Sequence, residues 1–386
     1  MKSVDKISQT PPAEAIKTVG TMRLIEHFKS IKTPGCRISL ELDSTTVREC
    51  ATVKFVARIF ICLLMLGFVL AAPAQRRGTR ILRTPPAPAA PASNYVRIWD
   101  WARSYQFNLR WLSPGKILEL TRRNGDRLVF TGQSREALVN GVKIILSFPA
   151  IVNGGAGWIS SLDLRASIQP ILVPQKNVRG DKIKTIVLDP GHGGKDDGAR
   201  NGSYFEKTYT LLLAQEVRNQ LTAAGFTVSL TRTTDTYIDL PPRPDFANRL
   251  HADLFVSLHF NTVSSGASDV SGSQVYCFTP VGASSTNARG EGTETAPSAG
   301  NRNDSKNVLL AYDLQKSLTK ALGAEDRGVC RGRLKVLREA EMPAVLIESA
   351  YISNPEEVKK IIDPAYRKQA AQAIVNGIMA YKSQVE

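Results

Sequence analysis

Two histidines and two glutamates in the C-terminal half of this sequence stand where short apolar runs end or begin. His192 follows Ile186-Val187-Leu188-Asp189-Pro190-Gly191, and His259 follows Leu254-Phe255-Val256-Ser257-Leu258. Glu348 follows Ala344-Val345-Leu346-Ile347, and Glu206 opens the amphipathic segment after the first run. Apolar runs of this length that alternate with helical patterns read as buried parallel strands. Ligands of open α/β sheets bind beyond the carboxyl ends of such strands. His192, His259 and Glu348 are therefore expected on one rim, with Glu206 close by. Two imidazoles and a carboxylate with an open fourth position make a catalytic zinc site, and a spare glutamate supplies a base. The expected roles are His192, Glu206 and His259 as ligands of one Zn²⁺ per chain. Glu348 would take the proton of the attacking water and pass it to the leaving amine.

Each residue also has a plainer reading. His192 in Asp-Pro-Gly-His-Gly-Gly could be a turn residue, and His259 a hydrogen-bonded rim residue. Glu206 could be a helix N-terminal charge. A carboxylate that ends an apolar strand, as Glu348 does, must find a partner because burying a bare charge is costly. The plain account thus needs four coincidences at one rim. Asp189 or a strand carbonyl is expected to accept the second N–H of an imidazole ligand. No H-E-x-x-H is present, which excludes a helix-borne site of that kind. His251 reads as a structural helix-end residue, and His27 lies far to the N-terminal side.

The elements that must hold these residues follow from the pattern of residues 181–386. Strands are expected at 183–189, 226–232 and 254–258, an added strand, antiparallel in one reading, at 273–278, and short strands at 334–337 and 344–347. Helices are expected at 207–224, 243–251 and 307–322, with a closing helix from about Ala365. This predicts an α/β domain with a mostly parallel mixed sheet and helices on both faces. A small β-rich domain, 95–176, precedes it: strand-like runs are broken by Asn124-Gly125-Asp126 and Asn140-Gly141, which are turn signals. The segment 281–306 is polar and is expected to be an open or mobile cover near the site, since it lacks apolar anchors.

The chain has 386 residues, 42% apolar and 22% charged, a globular composition that suggests two domains. Of its net charge of +15, residues 1–92 hold 14 Lys/Arg against 6 Asp/Glu, which is +8, and leave +7 for the rest. That excess reads either as a solvated surface or as attraction to an anionic polymer. No nucleic-acid-binding signature is present. Lys54 and Arg58 precede a nearly apolar stretch, 59–72, that ends in Ala72-Pro73-Ala74. Residues 53–74 thus read as a secretory signal, with a retained anchor as the competing reading. Residues 1–52 read as an extension before the true start, or one that is removed, and 75–94 as a Pro/Ala-rich linker. A periplasmic or secreted monomer is expected, with transient membrane contact only through the signal. Past Gln75, only Cys277 and Cys330 remain. They are open to two readings, a disulfide or two buried thiols.

Taken together, the blocks 186–194, 197–199, 206–207, 243–248, 252–261, 336–348 and 352–354 resemble the zinc-dependent N-acetylmuramoyl-L-alanine amidases of the bacterial cell wall (amidase family 3). The resemblance implies zinc ligands at His192, Glu206 and His259 and a catalytic glutamate at Glu348. It implies peptidoglycan as substrate, cut between N-acetylmuramic acid and L-alanine of the stem peptide, and leaves open whether an activator protein is needed. Phe260 stands where the family often has a small residue. Residues 139–146 and 158–164 resemble the small domain at the N-terminus of copper amine oxidases that is attached to many exported wall proteins. The unit has no histidine, so no copper site is implied; wall-binding module and spacer are both open. Two other functions compete: an inactive wall-binding protein that recruits partners, and a zinc hydrolase of another amide.

Overall fold

The computed structural model describes residues 94–153, 155–286 and 296–386. The expected extension 1–52, signal 53–74 and nearly all of the linker 75–94 lie outside the described residues, as does the middle of the polar loop at 287–295. The N-terminal part begins with β1 (Tyr95–Arg97) and α1 (Ile98–Ser104). A meander follows: β2 (Asn108–Ser113), β3 (Ile117–Thr121), β4 (Arg127–Thr131), β5 (Ser134–Val139), β6 (Val142–Asn153) and β7 (Ala156–Ser160). Successive strands from β2 to β7 pair antiparallel, as the Asn-Gly and Asn-Gly-Asp turns predict. Residues 161–172 form a short helical stretch that leads to the second part.

The second part carries β8 (Thr185–Pro190), a small hairpin β9 (Arg200–Asn201) and β10 (Tyr204–Phe205), α2 (Glu206–Ala223), β11 (Thr227–Leu230), α3 (Pro242–Arg249) and β12 (Leu254–Asn261). It continues with β13 (Ser273–Phe278), α4 (Asp304–Leu322), β14 (Asp326–Gly332), α5 (Lys335–Arg338), β15 (Ala344–Tyr351), α6 (Pro355–Ile362) and α7 (Pro364–Val385). Strands β11, β8, β12 and β15 lie side by side and parallel. Beyond β15, β13 runs antiparallel to it and β14 runs parallel to β13. The mixed α/β sheet is thus as expected in class. Three local readings differ. Residues 334–337 are not a strand: Lys335–Arg338 is one helical turn that packs Val336 and Leu337 against β13 and β15. β14 and α6 are additional to the elements expected from the sequence.

Both faces of the sheet are covered, which is why its central strands are apolar at consecutive positions. Ile186, Leu188, Val256, Leu258, Val345 and Ile347 join the core under α2, α4 and α7. Val187, Phe255 and Leu346 belong to the second core, with Ala247 of α3 and Leu337 of α5. That second layer is thin, because α3 and α5 have 8 and 4 residues. Past the last residues they cover, the sheet face is open at the carboxyl ends of β8, β12 and β15. Among the described residues no helix is long and apolar enough to cross a membrane.

The sheet does not stop where the two parts meet. Val329 of β14 pairs with Ile144 of β6 in parallel. A buried polar network accompanies this contact. Arg331 donates from Nη2 to Ala166 O at 2.6 Å and Ser167 Oγ at 2.7 Å. Ser167 in turn donates to Asp163 Oδ1 at 3.3 Å, and Asp163 accepts the amides of Ser147 and Phe148 at 2.7 and 3.0 Å. All three side chains are fully buried. Removing one member of such a network costs far more than the network contributes over an apolar replacement, because the others keep their desolvation penalty. Asp163→Ala is expected to lower unfolding free energy by about 3 kcal/mol, read from the urea midpoint; a loss below about 1 kcal/mol would show that the network does not brace the junction.

Candidate metal centre

The site is built from the carboxyl ends of β8 and β12 and from the first residue of α2. After β8 the chain turns sharply. His192 lies in the left-handed region at φ 61, and its imidazole faces that of His259 edge-on, with ring centroids 4.9 Å apart. Two glycines make this possible. A Cβ on Gly191 would lie 2.2 Å from the His259 ring, and one on Gly198 would lie 2.6 Å from the His192 ring and 2.7 Å from Glu206 Oε2. The Pro-Gly-His and Asp-Gly-Ala spacings therefore reflect space, since no side chain fits where the imidazoles and the carboxylate meet.

Glu206 is buried between the two imidazoles. Its Oε1 lies 2.9 Å from His259 Nδ1 and its Oε2 3.1 Å from His192 Nε2. Its oxygens also accept the amides of Phe260 at 3.0 Å and Ala199 at 2.9 Å. Burial alone would raise the proton affinity of this carboxyl. The hydrogen bonds from His192 and His259 outweigh burial and hold it well below the usual carboxylate range. One ligand atom from each of His192, Glu206 and His259 lies within 4.8 Å of the others. That donor set, two imidazoles and one carboxylate, is the composition of a catalytic zinc site, and the cluster could hold a metal ion.

Glu348 sits one strand away, paired in register with His259. It lines the same cleft of roughly 500 Å³. Its Oε2 is buried and has no hydrogen-bond partner. Burial first, then the charge of Glu206, pushes its carboxyl well above the ordinary range. An orphaned buried carboxylate calls for an explanation. A divalent cation beside it supplies one, since the ion's charge is the largest in such a site and favours the ionised form of both glutamates.

The support of the imidazoles differs from the expectation for Asp189. That carboxylate is fully buried and accepts from Thr231 Oγ1 at 2.6 Å, Ser257 Oγ at 2.8 Å and Arg243 Nη1 at 2.8 Å. It reaches neither histidine. Asp196 instead contacts His192, Oδ2 to Nδ1 at 2.9 Å. Asp189 works through Arg243, which donates to Pro190 O at 2.9 Å and His192 O at 3.0 Å. Arg232, buried as well, donates to Pro190 O at 3.0 Å and Gly191 O at 2.7 Å. Two guanidinium groups thus grip the carbonyls of the His192 turn. The sequence signal for Asp196 was its place four residues after His192; nothing marked Arg232 apart from its position at a strand end. His251 takes φ 47 just after α3 and is exposed, far in character from a ligand. Phe260 is buried in the main core and also borders the cleft.

Cys277 and Cys330 are free and buried. In the parallel pairing of β13 with β14, Tyr276 lies opposite Cys330 and Cys277 opposite Arg331. The two cysteines therefore project from opposite sheet faces, which resolves the open reading in favour of thiols.

A family model described as N-acetylmuramoyl-L-alanine amidase matches residues 186–380. The probable cell wall amidase LytH of Staphylococcus saprophyticus is 35% identical over 232 residues, covering 59% of this chain and 67% of that protein. The N-acetylmuramoyl-L-alanine amidase AmiC of Neisseria meningitidis serogroup B is 34% identical over 256 residues, covering 60% and 61%. This chain thus spans about two thirds of the length of these curated relatives. Among solved structures, that of an N-acetylmuramoyl-L-alanine amidase from Clostridium difficile 630 aligns at 32% identity and a TM-score of 0.44, over 52% of this chain and 97% of that one.

If the three clustered side chains hold an ion, His259→Ala should lower bound metal from about one per chain to below about 0.1. Metal analysis by plasma mass spectrometry after gentle purification reads this directly. An unchanged stoichiometry would remove His259 from the ligand set.

Proposed function

The chain belongs to the N-acetylmuramoyl-L-alanine amidase family, and we propose that it is an exported, zinc-dependent enzyme that hydrolyses the amide between N-acetylmuramic acid and L-alanine of peptidoglycan. The observation that carries the proposal is the meeting of His192, Glu206 and His259 with a partnerless carboxylate oxygen of Glu348 in one cleft.

His192, Glu206 and His259 would hold Zn²⁺, which supplies Lewis-acid polarisation of a carbonyl and a lowered pKa for water. The chain's own residues do the rest. Glu206 contributes one negative charge, and its oxygens accept the amides of Ala199 and Phe260. The Arg232 and Arg243 clamps hold the His192 turn, so the imidazole needs no reorganisation when substrate arrives. Glu348 accepts a proton from the attacking water at Oε2. The water oxygen bonds to the carbonyl carbon, the C–N bond breaks, and Glu348 returns the proton to the amine nitrogen. A group that both takes and returns a proton works best when its affinity for the proton lies near neutrality, and burial moves Glu348 in that direction.

The segment 95–176 is proposed as a wall-binding or targeting module similar to the N-terminal domain of copper amine oxidases, and 181–386 as the catalytic domain. An inactive recruiting protein is disfavoured because all four acting side chains are present and converge. A zinc hydrolase of another amide would use the same centre and is separated by its products. Digestion of purified muropeptides, with and without chelator, is the test. Release of free stem peptides, without new reducing sugar or split cross-links, is expected, and chelator should abolish it. Glu348→Gln should keep its zinc and lose turnover by roughly 10³-fold; a rate within tenfold of the wild type would strip Glu348 of its role.

A further inference from the structure

The wall of the cleft opposite His192 is formed by β13, and its register places a second polar pair at the reaction centre. β12 pairs His259 with Glu348, and β13 pairs Gln274 with Glu348. His259, Glu348 and Gln274 therefore form one row across three adjacent strands, on the sheet face that opens into the cleft. Tyr276, two residues along the same face, is opposite Leu346, and both line the cleft with Glu348 and His259.

Gln274 Nε2 donates a hydrogen bond to the Tyr276 hydroxyl oxygen at 3.1 Å. A phenol whose oxygen accepts one bond keeps its own proton to donate elsewhere. The bond from Gln274 is the only one this hydroxyl makes among the described residues, and Glu348 Oε2, the neighbouring acceptor, is partnerless. Among the described residues the proton therefore has no acceptor, and it is available to whatever enters the cleft. Burial, reinforced by the neighbouring Cys330 and Glu348, raises the phenol above its ordinary range, so it remains a donor throughout the neutral range.

We propose that Tyr276 is a catalytic hydrogen-bond donor to the carbonyl oxygen of the scissile amide, oriented by Gln274. The inference rests on the amidase reading above. As the water oxygen bonds to the carbonyl carbon, the C=O π pair moves onto oxygen. The Tyr276 O–H donates to that oxygen without giving up its proton. When the C–N bond breaks the pair returns, and the proton held by Glu348 goes to nitrogen. A donor placed where charge develops stabilises the transition state more than bound substrate, and so acts on kcat rather than on KM. Tyr276 also packs against the smaller core through its ring. Loss of the hydroxyl alone separates the two roles.

The test uses the purified full chain and a defined N-acetylmuramoyl-pentapeptide. Tyr276→Phe is expected to lower kcat by about 10- to 100-fold, with KM within about twofold and with zinc content and melting temperature unchanged. Gln274→Leu, which leaves the phenol but not its fixed partner, should give a kcat between the wild type and Tyr276→Phe. A Tyr276→Phe enzyme with wild-type kcat overturns the inference while leaving the amidase reading intact. So does one whose zinc content, melting temperature or KM alone has changed, since that marks a wall residue. A wild-type enzyme that fails to cleave the muropeptide overturns the amidase reading and this inference with it.

Discussion

A buried carboxylate set between two imidazoles is the constraint on which the rest of this structure depends. Glu206 is out of water, and an unpaired charge there would not survive folding. Its partners come from three places: the turn after β8 (His192), the loop before β9 (Ala199) and the end of β12 (His259 and Phe260). Each must arrive within hydrogen-bond distance of the same two oxygens. This demand explains features that would otherwise look unrelated. Gly191 and Gly198 are the points where any Cβ would collide with the cluster. Arg232 and Arg243 spend much of their hydrogen-bonding capacity on three successive residues' carbonyls, Pro190 to His192. Asp189, sealed in the sheet, holds Arg243 in place through their ion pair. The outcome is a turn held in the left-handed region at a histidine, a conformation that persists only when its surroundings over-determine it.

The cleft itself is a consequence of uneven cover. Long helices blanket one face of the sheet, whereas α3 and α5 protect the other only part of the way. The uncovered portion is the one that carries His259 and Glu348. The β-rich part extends the same sheet beyond β14, and the Asp163–Ser167–Arg331 network is one polar element of that junction, beside the Lys143 amide on Asp326. Arg331 lies one residue from Cys330, whose strand neighbour is Tyr276. The junction and the cleft wall are thus borne by the same two strands, β13 and β14, so disturbance of one bears on the other.

The apolar strands and the side chains that gather in the cleft are legible in the sequence because they obey simple patterns. Three central runs end in His192, His259 and Glu348, and the amphipathic helix begins at Glu206. The remaining elements lack those patterns. β14 reads Asp-Arg-Gly-Val-Cys-Arg-Gly, with two glycines and two arginines, and becomes a strand because Arg331 finds buried acceptors far away in the chain. Residues 334–337 look strand-like from Leu334, Val336 and Leu337. They form a helical turn because two of these leucine and valine side chains fill a gap beside Ala247 and Ala340. α6 carried a readable signal, Asn354 before Pro355, with the Asn354 side chain capping the amides of Glu356 and Glu357 at 2.8 and 3.2 Å. Proximity in sequence offers Asp189, or a strand carbonyl, as the acceptor for an imidazole. In space Asp189 faces Arg243, and only the turn geometry at Gly193 and Asp196 reveals which acid meets His192.

The reversal of β13 has a chemical effect of its own. In an all-parallel sheet, groups beyond the carboxyl ends of the strands come from loops, which are the more mobile parts of a fold. Here β13 starts where β15 ends, so Gln274 lies beside Glu348 within a hydrogen-bonded ladder. One wall of the cleft is therefore a strand, and its side chains inherit the rigidity of the sheet. Catalytic donors work when their geometry is fixed before the charge they stabilise appears. Inserting one antiparallel strand next to Glu348 fixes that wall without any change to the turn that carries His192 or the helix that carries Glu206. Slipping β13 by one residue would turn Gln274 and Tyr276 to the opposite face, so the register of a single strand pair decides whether the cleft has a polar wall.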